Sequence, residues 1–137
     1  MAVFDRGSGP PLVVIPGIQG RWEYLQPALD ALARSYRVVA ASLSDRRTDG
    51  TGIIDPSRQL DLLAGQVAAV LDERGIERAA ICGISFGGLV AVRFAARRPA
   101  RTSALILVSA PGPDWSPGRR HRIYARAPWL LGPLFLV

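Results

Sequence analysis

A chain of 137 residues, 49% apolar and 20% charged, has the size and material of one globular domain and excludes a disordered or fibrous polymer. The formal charge of +6 comes from 17 basic residues, all arginine, against 11 acidic ones. The arginines are spread along the chain, and the densest group, Arg119, Arg120, Arg122 and Arg126, lacks the interleaved aromatics of a base-stacking surface, so no nucleic-acid partner is expected.

Met1 to Asp5 contains no basic stretch followed by an apolar one, so no signal peptide is expected. Ala2 to Asp5 reads as the end of a strand, and Arg6-Gly7-Ser8-Gly9-Pro10 as a turn. Leu12 to Ile15 is an apolar, β-branched run that stops at Pro16-Gly17, the pattern of a buried strand. Leu25, Leu29 and Leu32 recur at helical spacing within a stretch from Glu23 to Arg34. Tyr36 to Ala41 is a second buried strand, and the polar stretch Ser42 to Ile54 a loop.

Asp55-Pro56 starts a helix with a capping carboxylate and then proline in the first turn. Leu60, Leu63, Val67, Val70 and Leu71 form its buried face, and Gly75 stops it. Ala79 to Cys82 reads as a strand, Phe86 to Arg98 as a helix halted by Pro99, and Ala104 to Ser109 as the next strand. This alternation predicts an α/β fold, a mostly parallel doubly wound sheet with helices on both faces. After Pro113 the pattern breaks. Asp114 to Val137 reads as the start of a helical insertion, and its apolar end, Ala127 to Val137, is too short to span a bilayer.

One motif carries chemistry. Gly83-Ile84-Ser85-Phe86-Gly87 is a G-x-S-x-G sequence placed between a predicted strand and a predicted helix. A strand that turns abruptly into a helix holds its turn residue in a strained backbone conformation. Gly83 and Gly87 remove side chains that would collide with so tight a turn. The Ser85 hydroxyl then stands at a helix N-terminus, where developing negative charge is favoured, and the Phe86 N–H points at the same place. The alternative is a glycine-rich turn with an incidental serine.

Pro16-Gly17-Ile18-Gln19-Gly20 follows the first buried strand. Loops at the carboxyl ends of parallel strands face the ligand crevice. The Ile18 N–H is therefore placed to join that of Phe86, and two such donors make an oxyanion hole.

Leu12–Gly20, the strand at Val38–Ala41 and Cys82–Gly88 together resemble the α/β-hydrolase superfamily, in its branch of esterase-like and lipase-like enzymes. The resemblance runs through the chain to about Pro113. It implies Ser85 as nucleophile, with the Ile18 and Phe86 N–H groups as oxyanion donors. It also implies a division into residues 1–113, the N-terminal part of the core, and residues 114–137, the start of a cap. Where the family usually has His-Gly, this chain departs from the pattern with Pro16-Gly17; the family's histidine there is structural rather than a proton carrier.

A serine hydroxyl is a poor nucleophile until a base takes its proton. The family order is serine, then acid, then histidine. His121, the only histidine, lies within the presumed cap and reads more readily as a surface residue than as the base. Asp114 follows the last strand and is a candidate acid, a loop residue being the alternative. Cys82 lies in a strand, where a buried inert thiol is the default; as the single cysteine it excludes an internal disulfide and suits a reducing cytoplasm. Asp45 and Asp49 read as solvated loop residues, and Trp22, Trp115 and Trp129 are candidates for a pocket wall.

The resulting expectation is a cytoplasmic serine hydrolase acting on a small-molecule ester or related acyl substrate, with no cofactor or metal, whose acid and base are incomplete in this chain. The rival is a non-catalytic protein of the same fold, truncated or used for binding.

Overall fold

The structure is a computed structural model that describes residues 3–17, 21–43 and 56–112. Its strands are β1 (Val3–Arg6), β2 (Pro11–Ile15), β3 (Arg37–Ala41), β4 (Ala79–Ile84) and β5 (Thr102–Val108), joined in one sheet of order β1-β3-β2-β4-β5. β2 to β5 run parallel, as the alternation predicts. β1 is antiparallel to β3, with Val3 opposite Ala41 and Arg6 opposite Val38. The turn after β1 therefore does not join neighbouring strands. It carries the chain past the start of β3, and Gly9, at φ 135°, lies so close that a Cβ there would sit 2.7 Å from the Ser35 carbonyl oxygen.

The helices are α1 (Gln26–Leu32), α2 (Pro56–Glu73) and α3 (Phe86–Arg97). The stretch read as one helix from Glu23 divides instead into a 3₁₀ turn, Trp22–Leu25, and α1. Pro27, in the first turn of α1, has no N–H to continue a ladder from the turn before it. α2 ends as Gly75 predicts. At φ 62° the glycine lets the Ile76 N–H reach back to the Leu71 carbonyl at 2.9 Å and that of Gly75 to Asp72 at 3.1 Å. Asp55, Asp45 and Asp49 lie outside the described residues, as does everything from Pro113 onward.

Strand alternation sorts the core onto the two faces of the sheet. Val13, Ile15, Val39 and Ile81 face α2 and α3, where Val67, Leu71, Val90 and Phe94 cover them. Leu12, Val14, Val38, Ala40 and Cys82 face the other way, beneath Leu29 of α1, with Trp22 and Leu25 packed alongside. The central strands are buried on both faces, which is why their sequences are continuous apolar runs. β5 differs: Leu105, Ile106, Leu107 and Val108 are each more than two-fifths exposed. Among the described residues it pairs only with β4.

α2 and α3 are clamped by one carboxylate. Asp61 accepts two hydrogen bonds from Arg93, at 2.6 and 2.7 Å, and two longer ones from Arg97, both 3.4 Å. Arg93 is the main reason the Asp61 carboxyl is held at about 2. A carboxylate whose folded pKa is depressed stabilises the fold above the ordinary carboxylate range, and loses that contribution as pH falls through the folded value. Asp61→Asn is therefore expected to unfold at lower urea concentration than the parent at pH 7. The gap should narrow below about pH 4 and close near pH 2, as urea midpoints measured across that range would show.

Candidate functional site

Because β2 to β5 are parallel, the residues that follow them emerge at one edge of the sheet: Pro16-Gly17 after β2, Ser42 after β3, Ser85 after β4 and Ser109 after β5. β2 is the first strand of the parallel set; the chain proceeds to β3 on one side of it and then to β4 on the other. The loops after β2 and β4 therefore flank the point where the winding reverses, which is where open α/β sheets form a crevice.

Ser85 is the single residue between β4 and α3. Its φ of 52° and ψ of −121° lie outside the left-handed region that non-glycine residues occasionally visit. Such a conformation costs of order 1–3 kcal/mol and persists only where the surroundings impose it. They do so here. The Ser85 N–H donates to the Val108 carbonyl at 2.9 Å, and the Ser85 carbonyl accepts from the Gly88 N–H at 2.9 Å. β4 runs two residues past the predicted Cys82, because Gly83 and Ile84 still pair with Leu107 and Val108.

The glycines have distinct reasons. A Cβ on Gly83 would lie 2.6 Å from the Gly88 Cα, inside the first turn of α3. One on Gly87 would run into the backbone carbonyls of Ile15 and Pro16, so this glycine is what lets α3 abut the end of β2. A Cβ on Gly17 would meet the Ser85 Cβ at an ordinary 3.6 Å, which places the start of the β2 loop beside the serine.

A serine at a helix N-cap ordinarily turns its hydroxyl onto the helix N–H groups. Ser85 makes no such bond. Phe86 is the first residue of α3, and helix geometry gives its N–H no partner within the helix. Ile18, the second expected donor, lies outside the described residues, as do Asp114, His121, Trp115 and Trp129. The described residues contain no histidine, and no group of three or more His, Cys, Asp or Glu side chains that could hold a metal ion.

Trp22 packs its ring against Phe4, with centroids 5.4 Å apart, in the core beneath α1. Cys82 is buried in β4, and that burial pushes its thiol above the ordinary range. A cavity of about 650 Å³ runs beside α3, lined by Leu60, Leu89, Val92, Leu107 and Ala110 among others, and Ser85 is not in its wall.

Gly88, read from the sequence as easing the close packing of α3, makes room for the Ala110 side chain. Two features of this edge escape the sequence patterns. Ser109 takes φ 48° just after β5. Glu23, in the 3₁₀ turn, accepts a hydrogen bond from the Ser42 hydroxyl at 3.2 Å and pairs with Arg21 at 3.3 Å. Its own N–H, with Arg21 next, holds the Glu23 carboxyl below the usual range. Residues 19 apart in sequence give no periodic signal of such a bond.

A family model described as the alpha/beta hydrolase fold matches residues 10–131. The chain is 32% identical over 117 residues to 2-hydroxymuconate semialdehyde hydrolase of Pseudomonas sp. (strain CF600), covering 79% of this chain and 39% of that protein. It is 36% identical over 111 residues to the dihydrolipoyllysine-residue acetyltransferase component of the acetoin cleaving system of Cupriavidus necator, covering 77% of this chain and 28% of that one. Naproxen esterase from Bacillus subtilis superposes with a TM-score of 0.73 at 22% identity, over 91% of this chain and 44% of that chain, a likeness of fold. The chain thus spans less than half the length of these relatives. Among the described residues, no helix is long and apolar enough to cross a membrane.

Proposed function

Since the chain belongs to the α/β-hydrolase fold family, we propose that it carries the nucleophile of a serine hydrolase acting on small-molecule esters or related acyl compounds. In this reading Ser85 Oγ attacks the acyl carbonyl carbon while a base takes its proton. The tetrahedral oxyanion rests on the N–H groups of Phe86 and Ile18. Collapse expels the alcohol, which leaves with that proton, and water releases the acyl group from Ser85. No cofactor enters this chemistry. Residues 1–113 belong to the core and 114–137 begin a cap over the crevice.

The observation that carries the proposal is the backbone of Ser85. Its angles are strained and its hydroxyl does not cap its own helix. Both features make sense if the hydroxyl must face a substrate. The hydrolase relative supports the reaction class. The acetyltransferase component points to acyl transfer as the other use of the same intermediate.

The proposal extends to the missing partners: the acid and base come from sequence beyond Val137. Asp114 and His121 are the candidates within the chain. The test is hydrolysis of p-nitrophenyl acetate by the 137-residue chain and by a version extended downstream. The shorter chain is expected to be slower by about 10²–10⁴-fold, the usual worth of general-base help. Strong Ser85-dependent turnover by the 137-residue chain would instead assign the acid and base to Asp114 and His121. An inactive extended chain would favour a binding role.

A further inference from the structure

We propose that Ala110 is a positioning residue for the nucleophile: carried on a left-handed turn at Ser109, its methyl group fixes the first turn of α3 against the end of β5, and with it the strained peptide of Ser85. The inference rests on the hydrolase reading above. Ser85 and Ser109 are the two non-glycine residues with positive φ among the described residues, at 52° and 48°. Strain of this kind persists only where the surroundings impose it, and it gathers at functional sites. The two strained residues are neighbours in space, because Val108, which precedes Ser109, accepts the Ser85 N–H at 2.9 Å.

Two hydrogen bonds hold the Ser85 backbone, and they come from different elements. Its N–H is bound by the Val108 carbonyl of β5 and its carbonyl by the Gly88 N–H of α3, both at 2.9 Å. The angles of Ser85 therefore depend on where the first turn of α3 sits relative to the end of β5. β5 pairs with β4 as far as Ile84 and Val108. An extended residue next would carry the chain on along the strand. Ser109 turns it instead, and Ala110 comes to lie against Gly88, where its side chain fills the place that a Cβ on Gly88 would need. The other close approaches of this turn, Gly83 to the Gly88 Cα and Gly87 to the Ile15 and Pro16 carbonyls, are backbone against backbone. Ala110 makes its contact through a side chain, so here the size of a residue sets the spacing between β5 and Gly88.

A misplaced Ser85 Oγ slows attack and leaves ground-state substrate binding alone, a loss in kcat at constant KM. In the full-length protein, Gly88→Ala drives a methyl group into that of Ala110. It should lower kcat for p-nitrophenyl acetate by roughly 10–10²-fold, since a misplacement of about 1 Å can cost ~10²-fold. Ala110→Gly removes the contact without pushing on α3 and should cost less, about three- to tenfold. The double variant moves the methyl group from one side of the contact to the other: the Cβ on residue 88 then meets the residue 110 Cα at 3.4 Å, an ordinary contact. It should therefore be faster than either single variant, with KM within about twofold of the parent in all three. Ser109→Val and Ser109→Gly make the same comparison without touching α3. A β-branched residue resists positive φ and glycine accepts it. Valine should therefore lower kcat by about tenfold, and glycine should keep the parent rate.

Losses that multiply in the double variant, or a rise in KM at unchanged kcat, would overturn the proposal. So would lower urea midpoints with the parent kcat in the folded variants, since the contact would then serve the fold alone. If Gly88→Ala does not fold, the Ser109 pair decides, and equal kcat for valine and glycine contradicts the proposal. Ser85→Ala, assayed alongside, separates the two claims. If it is inactive while the Ala110 and Ser109 variants match the parent, only the positioning role is wrong. If it retains turnover, the hydrolase assignment itself fails.

Discussion

Ser85→Ala in the full-length protein is expected to lower kcat/KM for p-nitrophenyl acetate by about 10⁴-fold or more, since removing a catalytic serine forfeits the covalent route and leaves only the oxyanion hole and binding. The fold should not suffer. The Ser85 side chain caps nothing, so its hydroxyl contributes no bond to α3. Ser85→Gly should go further and raise stability, because glycine accepts φ 52° without the strain a side chain brings. A gain of about 1 kcal/mol in urea unfolding, together with loss of activity, would mark the strain as kept for function. Ser85→Gly that is less stable than the parent would mean the serine has a structural task.

The largest effect on stability is expected at Gly87. Its Cβ would enter the backbone carbonyls of Ile15 and Pro16, and backbone cannot step aside as a flexible side chain does. Gly87→Ala should cost about 2–3 kcal/mol, the upper range for overpacking. It should also abolish turnover by forcing apart α3 and the β2 loop. Gly65→Ala is the matched contrast. A Cβ there meets nothing within 4 Å, and Gly65 lies inside α2, so alanine should stabilise by about 0.5–1 kcal/mol. Urea denaturation of the two variants measures both. Equal effects would show that glycine content, and not the close approach at Gly87, governs stability.

These contrasts indicate what was legible in the sequence. The parallel strands were readable because burial on both faces forces unbroken apolar runs such as Leu12 to Ile15. The turn at Ser85 was readable because so tight a reversal tolerates only glycine at Gly83 and Gly87. Each is a local signal. The antiparallel pairing of β1 with β3 was not readable, since pairing partners are a tertiary matter and the Gly7–Gly9 turn fits more than one route. Nor was the Glu23–Ser42 bond, made by two polar residues in different loops. The 3₁₀ turn at Trp22–Leu25 was hidden because its leucine continues the helical period of α1. Pro27 was the mark of the break.

The central claim is that Ser85 forms the acyl-enzyme, and covalent trapping tests it most directly. The full-length protein would be treated with a fluorophosphonate, digested with trypsin and analysed by mass spectrometry. The peptide Ala79–Arg93 contains Ser85 as its only hydroxyl-bearing residue. One phosphonyl group on that peptide, appearing in step with loss of p-nitrophenyl acetate hydrolysis, is the predicted result. Hydrolysis that persists with Ala79–Arg93 unlabelled, or is lost with the label on another peptide, would contradict it.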